Sequence, residues 1–505
     1  MTLLVQEKDL EVIDGFNCNN CKSAKLTAEG LFCNQNQQAV LPDNYCSYFD
    51  KNEKEHIDYG LKKQILMKEI KELLDLRKQN QISYKVADFL HSHFSFITLE
   101  DTDECFIFKE GLYEPAEPFI SAFSQDILKE YNSNHRTAEI LGHLRRMSYR
   151  SRSSIFSNPN FLCVKNGILD VEAGTLLPFT PERIFFKRLP VTYSKETDCP
   201  KIKKFLAEVV SPEDAEILQE FAGYCLYDDY HIHKALINWG EGENGKSVFL
   251  SLLSSFLGQE NISNVSLQNL EEDRFAVANL HNKYANINSD LSDKSLRSTG
   301  TFKQLTGNDI VNAQNKFKNS FSFKNRAKLI FAANRLPATY DDSNAFFRRP
   351  IIVNYPHQFT GKDADPNLLS KLTTQEELSG FLNIALEGLR RLLKRGRFET
   401  NATTEQVREE YIRKSNPIQA FVEDCLEVDP DAFLTKKEVY LAYSDYCRKL
   451  KYSPVAENTF HKNLARHIRI ADYKPSLQGK RATAWKGIKL KDVKAVKVHP
   501  NLSNL

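Results

Sequence analysis

The stretch "INWGEGENGKSVFLSLLSSF", residues 237–256, passes from a short apolar run through three glycines into an amphipathic segment. It fits the pattern G-x-x-x-x-G-K-[ST], with Gly240, Gly245, Lys246 and Ser247 at the fixed positions. In that pattern the backbone N–H groups cradle a phosphate chain, the lysine reaches the β- and γ-phosphates and the hydroxyl binds Mg²⁺. The stretch therefore predicts a phosphate-binding loop.

The residues on either side of this loop favour the same interpretation. Residues 235–239 have the pattern of a strand, and residues 247–256 carry apolar side chains at helical spacing, so a helix N-terminus would face the phosphates. A chance match is the alternative, since four fixed positions recur by accident in roughly a few per cent of chains of this length. The strand–loop–helix order makes chance less favourable. We predict nucleotide binding by Gly240, Gly242, Glu243, Asn244, Gly245, Lys246, Ser247 and Val248.

The composition is that of an ordinary soluble globular protein. The chain has 505 residues, enough for three or four domains, and is 41% apolar and 27% charged. Its first residues lack a basic stretch followed by an apolar one, and no apolar run approaches the ~20 residues of a membrane span. We therefore expect a cytoplasmic protein without a membrane partner, whose ten cysteines are reduced thiols or metal ligands.

Four cysteines near the N-terminus have the spacing C-x2-C-x11-C-x12-C. Thiolates in such a short segment suit tetrahedral Zn²⁺, although a regular zinc ribbon would end in a second C-x2-C. An iron–sulfur cluster and unligated thiols are the alternatives. We predict structural zinc held by Cys18, Cys21, Cys33 and Cys46, and buried apolar roles for the six scattered cysteines.

The net charge of +2 conceals a basic C-terminal segment. Residues 435–497 contain sixteen Lys and Arg but five Asp and Glu, a local charge of +11. A solvated lysine-rich tail would have this composition too. The excess nevertheless favours a polyanionic partner.

Two further strand patterns follow the loop, and each ends in a polar residue. "NKYANINSDL", residues 282–291, contains Asp290, placed where a strand-end acid would hold Mg²⁺ beside a phosphate loop. "KLIFAANRLP", residues 328–337, leads to Asn334, whose amide could orient the attacking water. Arg348 and Arg349 then precede another apolar strand. They could be solvated charges, but in a ring ATPase such an arginine reaches the nucleotide of the neighbouring subunit.

This order of motifs resembles the superfamily 3 helicases, which are AAA+ ring ATPases of viruses, phages, plasmids and phage satellites. The upstream stretch "FLCVKNGILDVEAGTLLPFTPERIFFKRLPVTY", residues 161–193, is similar to the poxvirus and phage/plasmid primase–helicase branch. The resemblance covers roughly residues 85–500. Its specificity lies in the ordered set of motifs, because each one except the phosphate loop is individually weak.

The resemblance implies catalytic roles for particular residues. Lys246 and Ser247 would be the loop lysine and the Mg²⁺-binding hydroxyl, Asp290 the metal-binding acid, and Asn334 the polar sensor. Many members have two adjacent acids where this chain has Ser289 before Asp290. Which group polarises the attacking water therefore stays open.

The resemblance also implies an arginine that acts in trans and a hairpin in the ring's channel. Arg349 best matches the arginine finger, and Arg348 is the second candidate. "QNKFKN" aligns with the channel hairpin, where Lys316 would contact DNA phosphates, Phe317 would replace a frequent histidine, and Lys318 follows. An ordinary surface turn is the alternative.

The basic C-terminal segment has the pattern of a winged-helix domain. Three short amphipathic helices are predicted at 416–428, 435–450 and 456–468, followed by a hairpin within 468–491. In such a domain one helix enters a DNA groove and the wing touches the backbone. The expected DNA-binding residues are His461, Lys462 and Arg466 on the helix, and Lys480 and Arg481 on the wing.

We therefore predict an α/β multidomain protein with an AAA+ type P-loop core. The predicted parts are a four-cysteine zinc-binding segment (1–50), a helical spacer (51–83), an α/β domain of primase–helicase type (84–204), the ATPase domain (205–400) and a winged-helix domain (401–505).

The predicted function is Mg²⁺-dependent ATP hydrolysis that unwinds DNA. The resemblance implies a homo-hexameric ring on single- and double-stranded DNA, replicating a mobile element in its host's cytoplasm with a separate primase and other replication proteins. An origin-binding initiator that does not unwind DNA is the main alternative. A P-loop kinase of small molecules is a weaker one, since it leaves the basic C-terminal segment unexplained.

Overall fold

The computed structural model describes residues 24–27, 30–33, 53–152, 155, 160–296, 298–316, 320–339, 341, 343–361, 365–399, 403–450, 454–477 and 480–491. The chain divides into two compact units, Met1–Ser157 with Pro178–Phe186, and Asn158–Leu177 with Lys187–Leu505. Both combine helices and sheets, so the predicted α/β multidomain class is confirmed. Within the described ranges, no helix has the length and apolarity needed to span a bilayer.

The first unit contains a β-hairpin, and a four-stranded sheet with helices. Its elements are β1 (Ala24–Thr27), β2 (Gly30–Cys33), α1 (Glu53–Asp75), α2 (Ile82–His93), β3 (Phe96–Leu99), β4 (Cys105–Lys109), β5 (Leu112–Pro115), α3 (Glu117–Leu128), α4 (Asn134–Ser148) and β6 (Tyr149–Arg150). The sheet has the order β5-β4-β3-β6, in which only β3 and β6 are parallel. Its core includes the buried side chains Val86, Ile120 and Ile140, one from each of three helices.

Local sequence explains two of its connections. Glu110 and Gly111 join β4 to β5 with φ angles of 46° and 86°, as a tight hairpin turn requires. The Ser133 side chain accepts a hydrogen bond from the Arg136 backbone N–H at 3.1 Å and so caps α4.

The second unit opens with a three-stranded antiparallel sheet and two helices. These are β7 (Phe161–Val164), β8 (Gly167–Asp170), β9 (Thr175–Leu177), α5 (Pro200–Val209) and α6 (Pro212–Leu226). The turn between β7 and β8 contains Asn166 immediately before Gly167, a pair of residues typical of tight hairpin turns. Pro200 and Pro212 each start a helix, where a missing backbone N–H costs nothing.

A five-stranded parallel sheet forms the centre of this unit. The elements in this region are β10 (Ala235–Trp239), α7 (Lys246–Leu257), β11 (Ile262–Ser263), α8 (Leu267–Glu272), β12 (Ala285–Asn288), α9 (Gly300–Leu305), β13 (Ile310–Gln314), β14 (Ser320–Lys324), β15 (Lys328–Ala333), α10 (Asn344–Phe347) and β16 (Pro350–Asn354). The strand order is β11-β12-β15-β10-β16, and every neighbouring pair is parallel. β13 and β14 form a separate antiparallel hairpin.

The C-terminal part adds helices and a small sheet. Its elements are α11 (Leu368–Leu372), α12 (Gln375–Arg395), α13 (Thr404–Ser415), α14 (Pro417–Cys425), β17 (Leu426–Thr435), α15 (Lys436–Lys449), α16 (Glu457–His467), β18 (Ala471–Tyr473), β19 (Ser476–Leu477), β20 (Lys480–Arg481) and β21 (Ala484–Leu490). The small sheet has the order β17-β21-β18 and is antiparallel, and β19 pairs with β20.

The central sheet is buried on both faces, as parallel strands require. Leu236 and Ile330 point into one apolar core, which they share with α5, α6, α7 and α12. Ile237 and Phe331 point into a second core, which continues into the C-terminal helices α13 to α16. β10 and β15 are buried along their whole length, which explains why their sequences are almost uninterrupted apolar runs.

Candidate functional site

The predicted phosphate loop lies between the carboxyl end of β10 and the N-terminus of α7. Gly240 N–H donates to the Ala333 carbonyl at 3.3 Å, which fixes the start of the loop to β15. A Cβ on Gly240 would lie 2.3 Å from Asn244 Nδ2 and 2.8 Å from the Tyr355 carbonyl oxygen. Gly245 has φ 89°, a conformation that other residues rarely adopt. Both fixed glycines are thus required by the fold of the loop.

Lys246 is buried inside this loop. Its ammonium donates to the carbonyls of Gly240 and Glu241 at 2.5 and 2.8 Å, and to Asn244 Oδ1 at 3.0 Å. Burial lowers the pKa of Lys246 to about 8, although the nearby Glu241 carboxylate raises it. Because these three acceptors are neutral oxygens, the lysine keeps a positive charge available to an anion.

The loop and the first turn of α7 fit a nucleotide polyphosphate. The first backbone N–H groups of a helix have no partner within the helix and carry partial positive charge. Gly245 is the N-cap of α7, and no side chain caps that position. Ser247 is exposed in the first turn, where its hydroxyl can bind a metal held by phosphates.

Asp290 and Asn334 lie at the same edge of the sheet as this loop. Asp290 is exposed just beyond β12, and Leu291 N–H donates to the Ala332 carbonyl at 2.8 Å, which holds this segment against β15. Asn334 is exposed directly after β15, whose last residue, Ala333, pairs with Trp239 at the end of β10. The fold therefore brings these two side chains and the phosphate loop to adjacent strand ends.

The two adjacent arginines occupy different environments at the opposite edge of the sheet. Arg349 is buried: its Nε donates to Thr306 Oγ1 at 2.8 Å, its Nη2 to the Lys303 carbonyl at 3.3 Å, and its Nη1 to the Ala345 carbonyl. Arg348 is exposed at the end of α10. Of the two predicted finger residues, Arg348 therefore presents its side chain to solvent, whereas Arg349 connects α9 to α10 through its hydrogen bonds.

These arginines cannot reach the phosphate loop of their own chain. The Arg349 carbonyl accepts from Ala235 N–H at 2.9 Å, and Ala235 is the first residue of β10. The loop begins five residues further along the chain, at Gly240, and five residues of strand span about 16 Å. Any action of Arg348 on a nucleotide bound at such a loop requires a second subunit.

The predicted DNA-binding residues lie on two other parts of the second unit. Lys316 is exposed between β13 and β14, whereas Phe317 and Lys318 fall outside the described residues. On α16, Lys462 and Arg466 are exposed.

His461 and the wing residues complete this C-terminal set. His461 accepts a hydrogen bond from Trp485 Nε1 at 3.1 Å, and burial lowers its pKa, so this side chain is engaged within the domain. Arg481 is exposed on β20, and Lys480 belongs to the same strand.

Of the four predicted zinc ligands, the structure places the backbone of one. Cys33 ends β2, whereas Cys18, Cys21 and Cys46 lie outside the described residues. Across the part of the chain that is described, no three His, Cys, Asp or Glu side chains are grouped to hold a metal ion. The remaining cysteines are free thiols, buried except for the partly exposed Cys425.

A contact between the C-terminal helices and the strand that leads into the phosphate loop could not be seen in the sequence. Lys414 on α13 is buried, with its ammonium 3.8 Å from the centre of the Trp239 ring and 2.9 Å from Glu410 Oε1. Trp239 immediately precedes the loop. No local pattern in the sequence indicates this cation–π contact, because the two residues are far apart along the chain.

Three family models match successive parts of the chain. "D5 N terminal like" matches residues 54–211, a family of unknown function (DUF5906) matches 239–349, and "Poxvirus D5 protein-like" matches 413–495. The matches thus surround and include the predicted phosphate loop.

Curated relatives of the chain are large viral proteins. "Putative helicase L207/L206" of Acanthamoeba polyphaga mimivirus is 23% identical over 332 residues, 59% of this chain and 34% of that protein. "Putative helicase 022R" of Frog virus 3 is 24% identical over 239 residues, 42% of this chain and 24% of that protein. The chain therefore spans about a third or less of the length of these relatives.

Solved structures of the C-terminal region of NrS-1 are also similar. An apo form is 14% identical, with a TM-score of 0.41, and covers 80% of this chain and 98% of that one. An A form apo structure has a TM-score of 0.42 at the same identity.

Proposed function

Because this chain is of the D5-like superfamily 3 primase–helicase type of viruses and phages, we propose that it is an ATP-dependent DNA helicase. It would act as an AAA+ ring, a homo-hexamer, in replication of a phage, plasmid or satellite element. One observation carries the proposal. The phosphate loop, Asp290 and Asn334 share one sheet edge, while the exposed Arg348 lies at the opposite edge. A complete catalytic set then needs two subunits.

In this proposal each residue at the carboxyl ends of the central strands has a separate role. Lys246 and the N-terminus of α7 hold the triphosphate and stabilise the negative charge that develops on the γ-phosphoryl oxygens. Ser247 and Asp290 would hold Mg²⁺, which when bound neutralises further phosphate charge. Asn334 orients the attacking water. The protein contributes positioning and electrostatics, since phosphoryl transfer needs little covalent chemistry from it.

We assign the role in trans to Arg348 rather than to Arg349. The exposed guanidinium of Arg348 can extend into a neighbouring subunit, whereas that of Arg349 is held by three oxygens of its own chain. An arginine supplied to a neighbour's γ-phosphate couples hydrolysis to the arrangement of subunits. Each hydrolysis event could then move the hairpin of β13 and β14, with Lys316 at its tip, along one DNA strand.

The C-terminal part would bind DNA as a winged-helix domain. Helices α14, α15 and α16 accompany the sheet β17-β21-β18, whose first strand lies between α14 and α15. The exposed Lys462, Arg466 and Arg481 supply positive charge. Such phosphate contacts give affinity and a strong dependence on salt rather than sequence preference.

Structural zinc at Cys18, Cys21, Cys33 and Cys46 remains part of the proposal, supported by their spacing. Metal analysis of the purified chain and of Cys18→Ser would test it directly. One zinc per chain in the wild type and less in the variant is the expected result.

The central test measures ATP hydrolysis with and without single-stranded DNA, and strand displacement from a forked duplex in the same tubes. Wild type should show both activities, and Lys246→Ala and Asn334→Ala should lose both. Lys204→Ala is the matched control, because Lys204 is an exposed lysine paired with Glu208 at 3.7 Å. Hydrolysis without displacement by wild type would instead favour an origin-binding initiator. Phosphoryl transfer to a nucleoside without stimulation by DNA would favour a kinase.

A further inference from the structure

The small C-terminal sheet has an outer face with two exposed aromatic rings. Lys486 of β21 lies opposite Phe433 of β17 and Ala471 of β18, and Ala484 lies opposite Tyr473. Since side chains alternate between faces, residues two apart on these strands share one face. The Phe433 and Tyr473 rings are 5.3 Å apart and meet edge to face at 61°. We call Phe433, Tyr473 and Lys486 the aromatic face.

The aromatic face is not part of the domain's core. Phe433 is 37% exposed and Tyr473 40%, while Trp485, whose side chain alternates to the other face, is 7% exposed and bonded to His461. The core on the Trp485 side is thus complete without the two rings. Ala484 is fully buried between β17 and β18, the strands that carry Phe433 and Tyr473. The two rings therefore cover the sheet beneath them and remain partly exposed themselves.

One positively charged side chain lies beside the aromatic pair, and two others follow within a few residues along the chain. The Lys486 ammonium lies 6.0 Å from the centre of the Tyr473 ring, and Lys474 and Arg481 are exposed nearby in sequence. Asp472 alternates to the Trp485 side of the sheet, where it pairs with Lys436 at 2.7 Å. The nearest β18 carboxylate is therefore turned away from the rings and neutralised.

This combination favours a ligand with flat apolar rings and negative charge. Unpaired bases stack on aromatic side chains while their phosphates lie near lysines, and this is how proteins bind single strands without sequence preference. Bases in a duplex are already stacked and cannot use such a face. A protein partner would need roughly 800 Å² of complementary surface, far more than two rings bordered by lysines provide.

We propose that the aromatic face binds unpaired bases of single-stranded DNA, with Phe433 and Tyr473 as stacking residues and Lys486 as a phosphate contact. The inference deepens the proposed function and rests on it for the choice of DNA as the nucleic acid. It adds a single-strand site on the sheet β17-β21-β18 to the duplex contacts proposed for α16. The C-terminal domain could then hold the displaced strand beside the fork.

The test measures binding of a labelled oligothymidine and of a labelled duplex to the full chain without ATP. Alanine at both Phe433 and Tyr473 should weaken oligothymidine binding by roughly tenfold or more, because both stacking surfaces for the bases are removed. Duplex affinity should stay within about twofold. Val428→Ala is the matched control, because Val428 is a 58% exposed apolar residue on the same strand as Phe433.

Two further variants separate stacking from folding and charge. Leucine at both positions keeps apolar bulk but removes the aromatic faces, so single-strand binding should still fall. Lys486→Met should reduce the slope of log affinity against log salt by about 0.7, the value for one phosphate contact to a single strand.

The outcomes distinguish this inference from the proposed function. Unchanged oligothymidine binding by the double alanine or double leucine variant would overturn the inference, as would an equal loss of duplex binding. Neither result affects ATP hydrolysis or unwinding by wild type, which test the proposed function separately. A wild type that hydrolyses ATP but binds no single strand would overturn both.

Discussion

Replacing Arg348 with alanine should abolish DNA-stimulated ATP hydrolysis without changing stability. The side chain is exposed at the end of α10, and exposed substitutions usually change the free energy of unfolding by less than about 0.5 kcal/mol. An arginine finger contributes about 10³–10⁵ to the rate of hydrolysis, so the loss should be easy to measure. The variant should still bind ATP, because Arg348 cannot reach the phosphate loop of its own chain.

Replacing the adjacent Arg349 with alanine should instead lower the stability of the fold, without removing the arginine proposed to act in trans. The change removes the donors to Thr306 Oγ1 and to the carbonyls of Lys303 and Ala345. A buried polar atom left without its partner costs about 1–3 kcal/mol, and such losses are not additive. We expect the free energy of unfolding to fall by about 3–5 kcal/mol. Urea denaturation, monitored by circular dichroism, measures the free energy of unfolding of both variants.

Mixing two inactive variants tests action in trans. Arg348→Ala keeps an intact phosphate loop, and Lys246→Ala keeps an intact Arg348. An interface between the two kinds of subunit can therefore combine an intact loop from one with an intact arginine from the other. If equal amounts mix at random in a symmetric ring, about a quarter of the interfaces are complete. ATP hydrolysis should therefore recover in the mixture although neither variant is active alone.

Two results would refute this reasoning. Normal hydrolysis by Arg348→Ala would show that the exposed arginine has no catalytic role. A stable Arg349→Ala variant that binds but does not hydrolyse ATP would return the role to Arg349, and would mean that its buried contacts open when subunits assemble.

Three other perturbations have defined outcomes. Binding of a non-hydrolysable ATP analogue should raise the pKa of Lys246 above its value of about 8, so that binding takes up protons. The affinity for the analogue should therefore fall as the pH rises through 8. Calorimetry in buffers of different ionisation enthalpy measures the proton uptake. Gly240→Ala should weaken nucleotide binding about tenfold or more in a fluorescence titration, because its Cβ would meet Asn244 and Tyr355. Gly60→Ala is the control: its Cβ would have nothing within 4 Å on α1, outside the loop, so it should bind normally. Lys414→Met removes a buried charge from Trp239 and Glu410 and should lower the free energy of unfolding by about 2–3 kcal/mol in urea.

The sequence was sufficient for features that depend on local order. The strand, glycine loop and helix of residues 235–257 could be predicted because they follow one another directly, and parallel strand ends bring Asp290 and Asn334 to the same edge. The same holds for the β7–β8 hairpin, where Asn166 and Gly167 set the turn.

Features that depend on packing could not be predicted in this way. Which of Arg348 and Arg349 faces the interior is decided by how α10 packs on α9, and a change of one position exchanges them. The contact of Lys414 with Trp239 and the pairing of Phe433 with Tyr473 join residues that are distant along the chain, so neither leaves a periodic pattern.

The second apolar core has a consequence for how this protein can be rebuilt. Ile237 and Phe331 of the central sheet lie in the same core as Tyr411, Phe421 and Phe460 of the C-terminal helices. Cutting the chain after α12 would remove the C-terminal share of that core, and grafting on a foreign DNA-binding domain would leave the exposed apolar side chains without a matching surface. We therefore expect the central sheet and the C-terminal helices to fold, and to be engineered, as one piece.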